Sequence, residues 1–179
     1  ASAGKVCQTC HFTADAEDAG HHRHDVPGSR DAAMRERALH VDATLRRRGS
    51  AATLELALTA ADAGHAVPTG DMFRRLEVSA WDARGDGARP ARAWLRRRFR
   101  VDRRGWHEVE DTRVPPQGSR RVMLALRGRP ERVAWAVHLW LLPRREAEAA
   151  GIPEREVRLL MAAGEVAAAA PAGGEGASR

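Results

Sequence analysis

Apolar and polar residues alternate with a period of two through the middle of the chain. Leu54, Leu56 and Leu58 are separated by Glu55 and Ala57. Further segments that alternate or are mainly apolar cover residues 76–81, 93–101, 106–109, 121–126 and 133–142, with glycine and proline turn signals between them. Such short strands predict a mainly β protein, an antiparallel immunoglobulin-like β-sandwich over residues 50–143.

The segments on either side of this sandwich show helical spacing. One helix is predicted over residues 31–48, with Asp31 as its N-cap, and a C-terminal helix is predicted after Pro143. The apolar residues that share a helix face are Met34, Ala38, Val41 and Leu45 in the first and Ile152, Val157, Leu160 and Met161 in the second. Beyond Glu165 the chain is rich in Ala, Gly and Ser, which predicts a disordered tail. Three regions result: 1–49, 50–143 and 144–179.

Composition adds a strong positive charge to this picture. The formal net charge is +6 over 179 residues, and most of the excess is arginine in short runs. A basic surface can bind nucleic acid. No helix-turn-helix spacing, zinc-finger spacing or aromatic RNA-binding signature accompanies the charge, so nucleic acid is not expected as a partner. We expect the arginines to attract acidic proteins instead.

Both cysteines lie close together near the start of the chain. Cys7, Cys10 and His11 form a C-x-x-C-H motif, which is typical of covalent haem attachment. Each thiol can add to one vinyl group of the porphyrin, and the adjacent imidazole can then bind the iron. The motif predicts one haem c per chain and makes residues 1–49 a haem-attachment segment followed by a helix.

Two other chemistries use a C-x-x-C pair. A zinc site needs four ligands and would have to recruit two histidines here, and a redox disulfide would follow a strand in a βαβ unit. The first residues lack an initiator methionine and are interpreted as a mature N-terminus after signal-peptide removal. No apolar run reaches the roughly 20 residues needed to span a bilayer. A periplasmic or extracellular location is therefore expected, with no membrane span.

The residue on the other face of the iron decides between electron transfer and ligand chemistry. His24 and His65 are the candidates. The chain between His11 and His24 is long enough to pass around a haem edge. The glycines beside His65 and the turn at Pro68 could hold its imidazole still. His138 is interpreted as a core residue and His107 as a surface residue. Met72 is a weaker alternative.

Three segments resemble the C-terminal portion of bacterial multihaem c-type cytochromes. They follow the C-x-x-C-H motif and cover residues 24–31 (HDVPGSRD), 63–76 (AGHAVPTGDMFRRL) and 110–116 (EDTRVPP). The resemblance implies a periplasmic or cell-surface electron carrier with His/His-ligated haems, in which His11 is proximal and His24 and His65 are ligands. One attachment motif leaves one of these two histidines over. The spare is either structural or ligates a haem of a neighbouring chain, as in an oligomer or filament.

The function expected from these features is single-electron transfer, without enzymatic activity. Expected partners are redox proteins or neighbouring cytochrome subunits. Two other functions remain open. The chain could be a haem enzyme or sensor with an open sixth site, or the sandwich could make it a structural subunit of a larger multihaem complex.

Overall fold

The computed structural model describes residues 11, 12, 14, 21, 28–60, 63–85 and 89–168. Eight strands and three short helices are present in this part of the chain. The strands are β1 (His40–Arg48), β2 (Ala51–Thr59), β3 (Arg75–Asp82), β4 (Ala91–Asp102), β5 (Gly105–Asp111), β6 (Ser119–Leu126), β7 (Arg132–Trp140) and β8 (Arg158–Ala167). The helices are α1 (Ala32–Ala38), α2 (Arg144–Ala149) and α3 (Glu154–Val157).

These strands form two antiparallel sheets. The smaller sheet has the order β1-β2-β6, and the larger has the order β5-β4-β3-β7-β8. This is the connectivity of an immunoglobulin-like sandwich in which strands A, B and E face strands C″, C′, C, F and G. The predicted mainly β sandwich is confirmed. The core between the sheets is apolar and includes Leu54, Leu56 and Leu58, all fully buried as their alternation requires.

The helix predicted over residues 31–48 is wrong in its second half. Asp31 does cap a helix, because its carboxylate accepts a hydrogen bond of 2.8 Å from the Met34 amide. The helix ends at Ala38, and residues 40–48 form β1, which is paired with β2 along its whole length. Val41 and Leu45 fit a period of two as well as a helical one. Pairing with β2 decides between the two periods.

The C-terminal helix is likewise shorter than predicted. The structure has the brief helices α2 and α3, and then β8, which pairs with β7. A Cβ at Gly164 would lie 2.8 Å from the Trp135 ring, so this strand needs a residue without a side chain there. The sheets therefore extend beyond residues 50–143 on both sides. The disordered tail predicted beyond Glu165 is wrong at its start, because residues 166 and 167 belong to β8. Residues 169–179 lie outside the described residues.

Candidate functional site

Two histidines from distant parts of the sequence come together beside the sandwich. The ring centres of His11 and His65 are 6.4 Å apart, and their planes differ by 19°. His11 is half-buried and His65 is exposed, with its Nδ1 3.3 Å from the Ala66 carbonyl oxygen. The structure thus pairs the histidine of the C-x-x-C-H motif with one of the two predicted candidates for the opposite ligand.

The loop that carries His65 is attached to the segment before β6. Val67 and Val114 exchange two backbone hydrogen bonds, each of 2.9 Å, and both side chains are buried. Residues 63–76 and 110–116, which are far apart in the sequence, therefore form one structural unit. The backbone on the C-terminal side of His65 is held by the sandwich itself.

Arginine side chains fix the rest of this loop by binding its carbonyl groups. Arg97 Nη2 donates to the Gly70 carbonyl at 2.8 Å, and Arg113 Nη1 donates to the Pro68 carbonyl at 3.4 Å. Arg113 is itself held by Asp111, whose pKa is lowered mainly by the hydrogen bond from the Arg113 guanidinium. Because Asp111 stays ionised, it keeps this guanidinium against the loop.

Asp71 shapes the end of the loop. Its Oδ1 accepts hydrogen bonds from the Phe73 amide at 2.9 Å and the Arg74 amide at 3.2 Å. This Asx-type turn leads the chain directly into β3. Gly70 has a φ of 104°, a backbone conformation that side chains rarely adopt. The predicted turn after His65 is thus stabilised by the hydrogen bonds that Asp71 accepts and by the positive φ that Gly70 adopts.

A cavity of about 200 Å³ adjoins the two imidazoles. Its lining is mostly apolar and comes from α1, the His65 loop, β7 and β8. The apolar lining residues are Met34, Ala38, Val67, Pro68, Leu139 and Met161. Two cationic side chains, Arg35 and Arg74, also line it. A largely apolar ligand that carries negative groups would match this lining.

The spacing of the imidazoles can be compared with metal ligation. An imidazole nitrogen binds a metal ion at about 2.0–2.1 Å. Two imidazoles that bind one ion from opposite sides therefore have ring centres roughly 6 Å apart. The 6.4 Å between His11 and His65 agrees with this value. Together with the apolar lining, the pair fits an iron porphyrin bound between two histidines.

Three residues of the predicted site, Cys7, Cys10 and His24, lie outside the described residues. Two other described histidines have partners away from this site. His138 is half-buried with its Nδ1 3.1 Å from Arg158 Nη2, and burial, followed by the Arg158 charge, lowers its pKa. His107 Nε2 lies 2.8 Å from the Asp102 carboxylate. Met72 is not among the residues that line the cavity.

Sequence reasoning missed the two arginines and two methionines of the lining. Arg74 belongs to the segment 63–76, so its place near His65 could be expected from the sequence. Arg35, Met34 and Met161 come from α1 and β8, whose approach to the His65 loop depends on the tertiary fold. In the part of the chain that the structure describes, no three His, Cys, Asp or Glu side chains converge as metal ligands do. No described helix has the length and apolar character needed to cross a bilayer.

Comparison with known proteins gives a likeness in fold. No protein-family model matches the chain, and no curated protein is similar to it in sequence. The crystal structure of a penta-heme cytochrome c552 from Thermochromatium tepidum superimposes with a TM-score of 0.75 at 20% sequence identity. The match covers 93% of this chain and 48% of the other, so this chain spans about half of that protein's length. The chain therefore shares its fold with about half of that cytochrome.

Proposed function

We propose that this protein is a c-type cytochrome that carries one covalent haem and transfers single electrons. The observation that supports this most is the position of His11. It directly follows the C-x-x-C pair, and its imidazole lies parallel to that of His65 at a separation suited to one metal ion between them. The fold shared with a penta-heme cytochrome c552 is independent support.

Each residue has a defined role in this proposal. Cys7 and Cys10 would attach the porphyrin through thioether bonds, His11 would be the proximal ligand, and His65 would be the distal ligand. When bound, haem supplies an iron that changes between ferrous and ferric states by one electron. Two imidazole ligands leave no coordination position for a substrate, which favours electron transfer over ligand activation. The anchored loop of residues 63–74 would keep His65 oriented in both states.

The surroundings of the protein follow from the same proposal. Thioether-linked haem and the cytochrome-like fold favour an exported protein in the periplasm or outside the cell. Acidic redox proteins would approach the arginine-rich surface in salt-sensitive encounters. Because the chain matches half of a protein with several haems, neighbouring cytochrome subunits are also proposed as partners. His24 would then be structural or would ligate a haem of an adjacent chain.

The proposal is tested by producing the full chain in a host with a cytochrome c maturation system. The purified protein should be red, and its intact mass should exceed that of the polypeptide by one haem. Its oxidised and reduced spectra should be those of a low-spin haem that does not bind carbon monoxide. A colourless protein, with thiols free, bridged or bound to zinc, would overturn the proposal.

The distal ligand is tested by His65→Ala, with His107→Ala as the matched control. Loss of the His65 imidazole should convert the haem to a high-spin form that binds carbon monoxide readily, because a coordination position is opened. His107 is partly exposed and paired with Asp102, so its substitution should leave the spectrum unchanged. If His24→Ala opens the iron and His65→Ala does not, His24 is the distal ligand.

A further inference from the structure

We infer that Arg35 and Arg74 form a carboxylate-binding pair in the cavity and bind the two propionates of the haem. This inference rests on the proposed function, since it assigns residues to the anionic groups of that cofactor. The titratable and charged residues that line the cavity are His11, His65, Arg35 and Arg74. Among the described residues that line the cavity there is no carboxylate, so their two guanidinium groups give this part of the lining a positive charge.

Arg74 is held close to the loop by a compact arrangement. Its Nη1 donates to the Thr69 carbonyl at 3.2 Å, and a Cβ at Gly70 would lie 2.9 Å from three of its guanidinium atoms. Its Nε is buried without a hydrogen bond in the described structure, and Asp71 Oδ2 lies 3.5 Å away. One carboxylate at this distance compensates the guanidinium charge only in part. The remaining charge faces a cavity beside His65.

Arg35 carries positive charge into the cavity from α1. Its guanidinium donates to three backbone carbonyls: Ser29 at 3.1 Å, Arg30 at 2.8 Å and Leu160 at 2.9 Å. These bonds fix its position, but carbonyl oxygens carry no net charge. Among the described residues Arg35 has no carboxylate partner. A fixed cation beside an apolar surface is suited to an anionic group of a ligand that also has an apolar body.

The number and kind of these groups match one ligand. Haem has a flat apolar body and two carboxylates, and the cavity provides apolar walls and two guanidinium groups. Arginine binds carboxylates through charge-assisted hydrogen bonds that can be bidentate. An arginine beside a carboxylate lowers the pKa of that carboxylate by about 1–3. Both propionates should therefore stay ionised to a lower pH than they would in water.

The test is the reduction potential of the haem-bearing full chain, measured against pH. The potential falls as pH rises through a propionate pKa, because the new negative charge stabilises the ferric state. In Arg74→Gln and in Arg35→Gln this inflection should move up by about 1–3 pH units. Asp71→Asn removes the charge that competes for Arg74, so it should move the inflection down. Arg35→Lys, which keeps the charge, should stay near wild type.

Arg100→Gln is the control, because Arg100 is an exposed arginine of β4 that does not line the cavity. Its curve should match the wild-type curve. If the Arg→Gln variants keep the low-spin spectrum and also match this control, the assignment of the propionates is overturned while the proposed function stands. A wild-type chain that takes up no haem overturns both.

Discussion

The two faces of β3 are both buried, but by different kinds of contact. Leu76, Val78 and Ala80 point into the core between the sheets and are fully buried there. The residues between them, Glu77 and Ser79, point to the other side and are each 3% exposed. One strand thus places an apolar surface on its inner side and a buried carboxylate on its outer side.

The outer face is covered by a second small core. Trp140, Ala147 and Val157 form its buried centre, with α2 and α3 packed over the sheet. The Glu77 carboxylate receives a hydrogen bond of 2.7 Å from Trp140 Nε1 and one of 3.1 Å from Arg158 Nε, and Arg92 Nε lies 2.9 Å away. Donors from three different strands thus converge on one carboxylate.

The pKa of Glu77 shows which effect dominates on this face. Burial alone would raise the pKa, since it disfavours the charged carboxylate. The hydrogen bonds from Trp140 and Arg158, with the charges of Arg158 and Arg92, outweigh burial and lower it. Burial alone therefore does not determine whether a face of this strand is apolar or charged. The inner face is apolar, whereas on the outer face the charge of Glu77 is matched by hydrogen bonds and nearby arginines.

The largest effect is expected on the inner face, with Leu76→Ala. This change should lower the free energy of unfolding by about 4 kcal/mol, because it removes buried methyl groups and leaves a cavity between two rigid sheets. Urea denaturation of wild type and variant measures the difference. A loss below about 1 kcal/mol would show that the inner core is loosely packed and would remove the contrast between the two faces.

Glu77→Ala should have the next largest effect. It leaves the Trp140 N–H and the Arg158 guanidinium without their acceptor, and we expect a loss of about 3 kcal/mol. The same urea experiment measures it. Ser79→Ala is the matched control on this face, since it removes only a weak bond of 3.3 Å to the Ala136 carbonyl. Equal losses in the two variants would mean that the charge network contributes little.

The pH dependence of stability should separate the faces further. Because the pKa of Glu77 is lowered in the folded state, its ionised carboxylate stabilises the fold above the unfolded glutamate pKa of about 4.3. This stabilisation is lost as the pH falls through the pKa of the folded state. Glu77→Gln should cost about 1.5 kcal/mol at neutral pH, and the gap to wild type should narrow below about pH 4. If the difference in unfolding free energy between wild type and Glu77→Gln stayed constant down to strongly acidic pH, the role of the ionised carboxylate would be contradicted.

The smallest effect is expected for an exposed ion pair on the same sheet. Arg132 Nη2 and Glu165 Oε2 lie 2.9 Å apart between β7 and β8, with both side chains largely in water. Glu165→Gln should change the free energy of unfolding by less than about 0.5 kcal/mol. A loss of unfolding free energy as large as that of Glu77→Ala would show that burial is not the reason why the Glu77 network stabilises the fold.

The sequence predicted an element correctly where its apolar residues fit only one period, that of a strand or that of a helix. It was ambiguous where they fit both periods. The alternation of Leu54, Leu56 and Leu58 predicted β2 correctly because no helix face would group them. Val41 and Leu45 fit either a helix or a strand, and only pairing with β2 separates the two. β8 was missed because its small residues, such as Gly164, carry little hydrophobic signal. Gly164 has to be small because Trp135 packs against it.

The candidate site could likewise be predicted from the sequence only in part. Local sequence was enough to propose His11 and to place His65 in a rigid turn. The contact between their imidazoles, and the positions of Arg35 and Arg74 beside them, depend on how α1, β8 and the His65 loop meet. Those approaches are set by the packing of the whole sandwich, which no local pattern encodes.

The attachment of the His65 loop at Val67 and Val114 has a consequence for the whole chain. His65 is fixed to the sandwich, whereas His11 stands 54 positions earlier in the sequence. Any group that coordinates both imidazoles closes this length of polypeptide into a ring, much as a disulfide would. On the chain-entropy model, a closure of this size is worth on the order of 4 kcal/mol. A cofactor held there would act as a structural cross-link as well as a redox centre.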